Sequence, residues 1–452
     1  MISDLSRDEF IAILLKHVSP TSPIQSQEHL FGRARQLQQV EQALYAPGRT
    51  VFIYGDRGVG KTSLAQTVAY SHQSATRDPI LLACSPNTTF AGLMASALGR
   101  LGDSKPPVST TTLKLNIGFK GLGVGGERVR CEEGIPQIPV GADLNNIISA
   151  LLDASGARPN ENAVVVVDEF DRINSDEERA QFADFIKQVG DQRIPIRFVF
   201  CGVAESMQKL LGAHDSCYRY LDGIELKTLN YEARIEIIDN VANALGVRVE
   251  ERQRYRIAAI SDGFPHFIHR MCEQLFWQMF DDPQPCETPT ADHYREAVVG
   301  SVRCIEQHLR QTYDQAVMKN APDYEQVLWA FADHSDMIRN TEGIYSSYLS
   351  IMNNLDNDVE ILDRSTIVTR LNALKSQRCG HILATQRRGW YRFNESMMRG
   401  YVRLRAEEQD VELALDYAAA GSNSSLSGRL RAARKSKRGS TPARWRKTQY
   451  FD

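Results

Sequence analysis

A glycine-rich stretch near the N-terminus carries the clearest chemical signal of the sequence. It reads Gly55-Asp56-Arg57-Gly58-Val59-Gly60-Lys61-Thr62-Ser63 and directly follows an apolar run at 50–54. In this spacing, backbone N–H groups can turn inward around phosphates, Lys61 can reach the terminal phosphates, and Thr62 can ligate magnesium. A helix that begins here adds partial positive charge from its N-terminus. We therefore predict that residues 55–63 bind the phosphates of a nucleotide.

Two consecutive acidic residues supply the second half of such a site. Asp168 and Glu169 follow the valine run that begins at Ala163. A magnesium ion on phosphates needs a carboxylate at the end of a neighbouring strand. We predict that Asp168 holds the magnesium through water and that Glu169 orients and deprotonates the attacking water. The alternative is a pair of surface acids that only end a strand. We interpret Asp171 as a helix-start residue and not as a ligand.

Short apolar strands that alternate with helices must position these two motifs. We predict strands at 50–54, 80–83, 163–167 and 196–201, a pattern typical of an α/β fold with a parallel sheet covered on both faces. Residues 107–141 alternate apolar and polar positions around a glycine cluster, which predicts an inserted β-hairpin. That hairpin is either a surface decoration or a contact for a partner or DNA.

The second half of the chain has helical periodicity. Between 230 and 312 we predict a small helical domain, with Asn230 as an N-cap, Gly246 as a C-cap and Pro265 near the start of a helix. Helical patterns at 323–332, 341–353 and 363–376 then precede a β-hairpin within 381–393. Three helices followed by a hairpin are the order of a winged helix-turn-helix.

Composition limits the class of protein. The 452 residues correspond to about three domains, and 42% hydrophobic with 24% charged residues is typical of a globular chain. No apolar run approaches the roughly 20 residues that span a bilayer, so we expect a soluble, cytoplasmic protein without a membrane partner. The eight cysteines include no C-x-x-C pair and the histidines show no metal-ligand spacing, which disfavours disulfides and a zinc site.

The net charge of -3 conceals a strong asymmetry along the chain. Residues 363–405 hold ten Lys/Arg and two Asp/Glu, a charge of +8, and residues 419–452 carry a further +8, whereas residues 406–418 carry -5. The first 362 residues are left with -14. A basic C-terminal quarter indicates a polyanion partner, and the alternative is a merely solvated surface.

Two further segments contribute to a family resemblance. They are Phe31-Gly32-Arg33 and the segment 261–266 (Ser-Asp-Gly-Phe-Pro-His). Together with the two phosphate-site motifs, these segments resemble those of AAA+ P-loop ATPases. The branch is the one that contains origin-recognition and initiator ATPases, transposition regulators and STAND signalling ATPases. The resemblance covers about 28–300, and the winged-helix layout extends it to about 405. It implies ATP and Mg²⁺ as cofactors, ATP hydrolysis, and a homo-oligomer.

The resemblance also implies roles for individual residues. Phe31 and Arg33 would line the adenine pocket, and Pro265 would open a lid helix over the nucleotide. Arg219 lies where such proteins place an arginine finger that reaches the nucleotide of a neighbouring subunit, with a salt-bridged surface arginine as the alternative. Arg270 is the candidate for the arginine of the lid that is called sensor 2.

The strand at 196–201 resembles the sensor 1 strand of these proteins. Its tip offers Glu205 and Ser206 in place of a clear Asn or Thr, and neither is assigned.

The predicted winged helix carries basic residues on its third helix and on its wing. Such charge could neutralise DNA phosphates from two sides. The candidate nucleic-acid residues are Arg364, Arg370, Lys375, Arg387, Arg388 and Arg392. Docking of protein or autoinhibition is the alternative role for this domain, and the basic tail either adds phosphate contacts or only improves solubility.

These predictions divide the chain into five parts. They are an N-terminal helix and linker (1–27), the AAA+ α/β domain (28–228), the helical lid (229–312), the winged-helix domain with a closing helix (320–418) and a basic disordered tail (419–452). The leading hypothesis is an initiator-like ATPase that binds Mg-ATP between α/β domain and lid, oligomerises, and engages double-stranded DNA. The rivals are a STAND-type signalling switch with a protein effector, which lacks here the repeat array usual for that group, and a nucleotide-gated scaffold with little turnover, which an intact Glu169 argues against.

Overall fold

The computed structural model describes residues 2–20, 22–74, 78–102, 143–156, 162–213, 218–284, 286–318, 320–355 and 360–415. The chain forms two compact units, one of Thr21–Lys227 and the other of Met1–Pro20 with Thr228–Asp452. The predicted hairpin at 107–141 and the predicted tail at 419–452 lie outside the described residues. In the part that is described, no helix is long and apolar enough to span a membrane.

The first helix belongs to the second unit. Helix α1 (Arg7–His17) begins with a capping box, in which Ser6 and Glu9 bond to each other's backbone N–H groups. Phe10 is fully buried and stacks on Phe280, with 4.3 Å between the ring centroids, and it meets Trp277 edge to face. These aromatic contacts attach the start of the chain to a helix more than 250 residues away in sequence.

A five-stranded parallel sheet forms the centre of the first unit. Its strands are β1 (Thr50–Tyr54), β2 (Ile80–Ala83), β3 (Val164–Asp168), β4 (Arg197–Gly202) and β5 (Leu221–Glu225), in the order β2-β3-β4-β1-β5. Val51 lies opposite Val199, and Val165 lies opposite Phe198. The predicted parallel α/β sheet and its four predicted strands are confirmed. The fifth strand, β5, was missed.

The described residues of this unit form six α-helices. They are α2 (Ala34–Tyr45), α3 (Lys61–His72), α4 (Phe90–Leu101), α5 (Leu144–Gly156), α6 (Asp176–Asp191) and α7 (Ala204–Ala213). A core of interlocked aromatic rings, among them Phe52, Phe170 and Phe182, packs against the sheet, with Phe52 and Phe170 edge to face at 5.7 Å. The rigid sheet holds the ends of β1 and β3 in fixed positions, where the two predicted motifs begin.

The second unit contains nine further helices in its described residues. They are α8 (Tyr231–Ala244), α9 (Glu251–Ile260), α10 (Pro265–Asp281), α11 (Ala291–Arg303), α12 (Gln307–Val317), α13 (Asp323–Ala332), α14 (Thr341–Met352), α15 (Arg364–Ala373) and α16 (Met398–Glu408). A small antiparallel sheet orders β6 (Ile338–Asn340), β8 (Trp390–Phe393) and β7 (Leu383–Arg387) side by side. The predicted N-cap is present, since the Asn230 side chain accepts from the Ala233 N–H, and Pro265 is the first residue of α10. The C-cap of α8 is Leu245 and not the predicted Gly246, which follows it in a left-handed conformation with φ 65°.

A buried ion-pair network holds the start of α10 to α16. Asp262 is 2% exposed, and its two carboxylate oxygens each lie 2.6 Å from the guanidinium of Arg399. Arg403, also buried, donates to Asp262 at 3.2 Å and to the carbonyl of Ala259 at 2.8 Å. Because every charge here has a partner inside the protein, the network locks two distant segments of the chain together.

Candidate functional site

The glycine-rich loop connects β1 to α3 and owes its shape to its glycines. Gly60 has φ +96°, and a Cβ there would meet no atom within 4 Å, so glycine is needed for the backbone conformation and not for lack of space. At Gly55 a Cβ would lie 2.1 Å from the carbonyl oxygen of Leu226. The loop therefore passes close to the chain after β5 at one end and turns through a left-handed conformation at the other.

Lys61 is the first residue of α3 and is folded back onto the loop. Its Nζ donates to the carbonyl oxygens of Gly55 at 3.0 Å and Asp56 at 2.7 Å. Burial lowers the pKa of Lys61, although the carboxylates around it act in the opposite direction. A desolvated ammonium at a helix N-terminus is stabilised by an anion, so the chemistry of this end of the loop suits phosphate.

The two predicted motifs meet at Thr62 and Asp168. The Thr62 hydroxyl donates to Asp168 Oδ2 at 2.6 Å, and Asp168 Oδ1 accepts the N–H of Glu169 at 2.8 Å. Both side chains are half-buried. A hydroxyl and a carboxylate at this distance are hard oxygen donors, which is the ligand type that Mg²⁺ prefers.

Glu169 lies just beyond β3 in a left-handed conformation, with φ 54°. Its carboxylate is exposed and accepts from the Arg172 guanidinium at 2.8 Å. Asp171, in the 3₁₀ turn Phe170–Arg172, pairs with Arg57 of the loop at 3.2 Å. The sequence analysis did not single out Arg172, because an arginine three residues after an acid is common on any surface.

Arg33 is a buried residue that contacts the backbone of the glycine-rich loop. It is 5% exposed and donates to the carbonyl oxygen of Val59 at 2.9 Å. Burial lowers the pKa of Arg33 to about 10. Phe31, its neighbour before α2, is half-buried. The structure thus gives Arg33 a contact that the sequence analysis did not foresee, with the phosphate loop itself.

The residues at the tip of β4 make local contacts. The buried Ser206 hydroxyl donates to the carbonyl of Val203 at 2.7 Å, and the exposed Glu205 pairs with Lys209 at 2.8 Å. Cys201, on β4 itself, is buried with its Sγ 3.9 Å from the carbonyl oxygen of Lys61, and burial raises the pKa of its thiol well above the ordinary value.

Arg219 and the predicted lid residues lie in different environments. Arg219 is exposed, two residues before β5. In the second unit, Arg270 is largely buried and pairs with Glu273 at 2.6 Å. His266 contacts Glu306 at 3.2 Å and the carbonyl oxygen of Pro20.

The six candidate nucleic-acid residues divide into two groups. Arg364 pairs with Glu342 at 3.1 Å, and Arg370 pairs with Asp323 at 2.8 Å while it lies over the ring of Tyr324. The other four residues have no ion pair among those found in the described residues. Of these, Lys375 lies over the ring of Tyr391 and Arg387 over the ring of Trp390. Arg388 and Arg392 are exposed on the hairpin.

Comparison with known proteins agrees with this geometry. Residues 29–199 match the family described as AAA ATPase domain, whereas no curated protein matches the chain. The Walker-type ATPase paby2304 of Pyrococcus abyssi has a similar structure, with 15% identity, a TM-score of 0.51, and coverage of 85% of this chain and 99% of that one.

Two other solved structures are also among the similar ones. Cdc6p of Pyrobaculum aerophilum has 13% identity and a TM-score of 0.43 over 89% of this chain and 98% of its own. The ORC2 protein of Aeropyrum pernix has 14% identity and a TM-score of 0.46 over 88% and 97%. At 15% identity, the similarity to the Walker-type ATPase concerns the fold and not the activity.

Proposed function

We propose that this protein, whose residues 29–199 match the AAA ATPase domain family, binds Mg-ATP at residues 55–63 and hydrolyses it. The observation that carries the proposal is the 2.6 Å contact between Thr62 and Asp168, which joins the phosphate loop to the acidic strand end. Two residues 106 positions apart in sequence meet there as a hard oxygen pair. A structural pair of surface acids has no need of this partner.

The residues of the loop fit a triphosphate and its metal. Lys61 would exchange its bonds to the Gly55 and Asp56 carbonyls for phosphate oxygens, because the charged partner offsets the desolvation that lowers its pKa. Thr62 and Asp168 would hold magnesium, Asp168 through water. When bound, the ion neutralises charge on the phosphates and so eases phosphoryl transfer.

Glu169 would act as the base that orients and deprotonates water. It is exposed at the strand end and next to the magnesium residue in sequence, which is the placement this role requires. Its contact with Arg172 would have to open before the carboxylate can turn toward a water molecule. The ion pair is solvent-exposed, and because water screens such a pair, opening it costs little and does not prevent turnover.

The nucleotide site is tested by the Lys61→Ala protein. Loss of the phosphate-directed charge should abolish binding of a fluorescent ATP analogue, whereas Lys209→Ala, which removes an exposed lysine of the same unit, should leave binding unchanged. Equal affinity in the Lys61→Ala and unaltered proteins would show that the loop does not hold the nucleotide.

We also propose that Arg219 completes the site of a neighbouring copy of the chain. Its exposure suits a contact between subunits, and an arginine finger contributes about 10³ to 10⁵ in rate. ATPase activity per subunit should therefore rise with protein concentration and fall in Arg219→Ala. A mixture of Arg219→Ala and Lys61→Ala subunits should recover activity, since each supplies what the other lacks. Failure of that complementation together with concentration-independent activity would exclude action in trans.

Residues 320–418 are proposed to form a winged helix that engages duplex DNA, as in initiator-like ATPases. Helices α13 to α15 followed by the β7–β8 hairpin support this layout. Lys375, Arg387, Arg388 and Arg392, which form no ion pair with any described residue, lie on or beside that hairpin. Duplex binding measured at ~50 mM salt, which favours phosphate contacts, should be lost when Arg387 and Arg388 are both replaced by Glu.

A signalling switch with a protein effector is the second candidate. The observation in its favour is that Arg364, Arg370, Arg399 and Arg403 are all paired with acids, which leaves the region less charge for DNA than its composition indicates. The absence of duplex binding at ~50 mM salt by a protein that still hydrolyses ATP would favour this candidate.

A further inference from the structure

The loop between α10 and α11 brings together three side chains that can ligate a metal. The donor atoms of Asp282, Cys286 and His293 all lie within 4.8 Å of one another, and theirs is the one such cluster found in the described part of the chain. His293 is buried, and the other two are half-buried. The group lies in the second unit, apart from the loop 55–63 and its acids in the first.

The hydrogen bonds of His293 define which nitrogen carries its proton. The N–H of Thr290 donates to Nδ1 at 3.2 Å, so Nδ1 is unprotonated, and Nε2–H donates to Asp282 Oδ2 at 2.7 Å. Cys286 lies beside the same nitrogen, with its Sγ 3.9 Å from Nδ1. The Gln284 N–H and the His293 ring hold the pKa of Asp282 below its usual value, so this carboxylate is charged.

We propose that Cys286 and His293, with Asp282 as the carboxylate partner of the histidine, form a site for a thiophilic divalent metal ion of the zinc class. An ion between Nδ1 and Sγ would replace the long contact from Thr290 and keep the bond from Nε2 to Asp282. A carboxylate behind the imidazole is the usual partner of a metal-bound histidine. Water would fill the remaining coordination positions.

Metal binding at this site releases one proton. Burial and the nearby Asp282 carboxylate raise the pKa of the Cys286 thiol, so the free protein carries Cys286 as S–H at neutral pH. The ion forms a bond to sulfur while the S–H bond breaks, and the proton leaves to solvent. No oxidant or reductant takes part.

The ligand set separates this site from the predicted magnesium site. Thiolate and imidazole favour zinc and related transition metals, whereas Mg²⁺ prefers the oxygen ligands that Thr62 and Asp168 offer. The loop is also fixed in place before any ion arrives. Gln253 donates to the carbonyl of Pro289 at 2.9 Å, and the Arg248 N–H donates to that of Glu287 at 2.9 Å. A bound ion would join the end of α10 to the start of α11 across this loop.

Cobalt titration of the full-length, chelator-treated protein tests the proposal. With a phosphine reductant and excess Mg²⁺ present, one equivalent of Co²⁺ should produce a thiolate-to-cobalt charge-transfer absorption that Zn²⁺ then removes. Cys286→Ser should abolish the band, and Cys304→Ser, which alters an exposed cysteine of the same unit, should leave it unchanged. A band that survives in Cys286→Ser, or no band in the unaltered protein, would overturn the assignment.

The histidine and its partner are tested separately. Glutamine can replace the helix-capping role of His293 at this position, so His293→Gln should retain its melting temperature while it loses cobalt affinity. Asp282→Asn should weaken affinity about 10- to 100-fold, as is typical for a lost carboxylate partner. Unchanged affinity in His293→Gln would exclude the site even if a cysteine band is present.

Discussion

Asp168 in the first unit and Asp262 in the second are both acids near cations, but their surroundings differ. Asp168 is half-buried at a strand end, and its partners are a hydroxyl and an N–H group. Asp262 is 2% exposed and is held by two buried arginines, Arg399 and Arg403. Neutral partners at a half-open position can be exchanged for a metal or a ligand, whereas a fully paired buried carboxylate can only hold the fold together.

The arginines of the C-terminal region show the same division. Arg399 and Arg403 are buried and bonded to Asp262 and to backbone carbonyls. Arg388 and Arg392 are exposed on the hairpin. Sequence composition counts all four alike, yet only the exposed pair is available to a phosphate. Charge along a chain is therefore a poor measure of charge on its surface.

The largest expected effect is on the rate of ATP hydrolysis and concerns Glu169, the acid next to Asp168. Glu169→Gln should bind ATP normally but hydrolyse it about 10²- to 10⁴-fold more slowly, because the water loses its base. Single-turnover hydrolysis at saturating Mg-ATP measures the rate, and a fluorescent analogue measures affinity. Glu205→Gln, an exposed acid of the same unit, is the control. Normal single-turnover rates in Glu169→Gln would remove it from this role.

Replacement of the buried Asp262 should affect stability. Asp262→Asn leaves two buried guanidinium groups without their charge partner, which should lower the free energy of unfolding by about 3–5 kcal/mol. The exposed pair of Asp222 with Arg49 provides the control, since Asp222→Asn should cost less than about 1 kcal/mol. Urea unfolding of the full chain makes the comparison. Similar midpoints for the two variants would show that burial does not distinguish these pairs.

The arginines allow a subtler test by salt dependence. If Arg388 contacts a phosphate, Arg388→Ala should reduce the slope of log affinity against log salt by about 0.9, without loss of stability. Arg370 is paired with Asp323, so Arg370→Ala should leave the slope unchanged and lower stability. If the slope falls in Arg370→Ala and not in Arg388→Ala, Arg370 is the residue that contacts a phosphate and Arg388 is not.

The smallest expected effect is at Arg172. Its bond to Glu169 is solvent-exposed, and water screens the attraction between the two side chains. Arg172→Ala should therefore raise the steady-state ATPase rate by no more than about five-fold, with the melting temperature unchanged. A loss of activity in Arg172→Ala would show that the arginine assists the reaction and does not restrain the carboxylate.

Local patterns in the sequence predicted much of the fold and little of its long-range pairing. Helix α13 begins and ends where the periodicity places it, at Asp323 and Ala332. Strand β5 was missed because Leu-Asp-Gly-Ile-Glu has two apolar residues and no alternation, and only its pairing with β1 makes it a strand. The short strand β6 has the same explanation, since its three residues pair with β8.

Among the candidate site residues, too, those in local motifs could be predicted and the contacts between distant residues could not. Thr62 and Asp168 could be predicted because each lies in a motif whose spacing reflects its chemistry. Arg399 could not be assigned to Asp262, which is 137 residues away, because nothing near either residue encodes the partner. The Asp282, Cys286 and His293 group was missed for a related reason, since one cysteine in a proline-rich loop and one histidine in the first turn of α11 match no common zinc spacing.

The attachment of α1 to the second unit has a consequence for biosynthesis. Met1–Pro20 belongs to one unit with Thr228–Asp452, and the whole first unit, Thr21–Lys227, is synthesised between these two segments. At about 5–20 residues per second, Phe10 waits roughly 10–50 s before Trp277 and Phe280 are made. During that interval its apolar face is available to chaperones while the parallel sheet of the first unit can already fold. Synthesis of the first unit is thus complete before Phe10 can pack against Trp277 and Phe280.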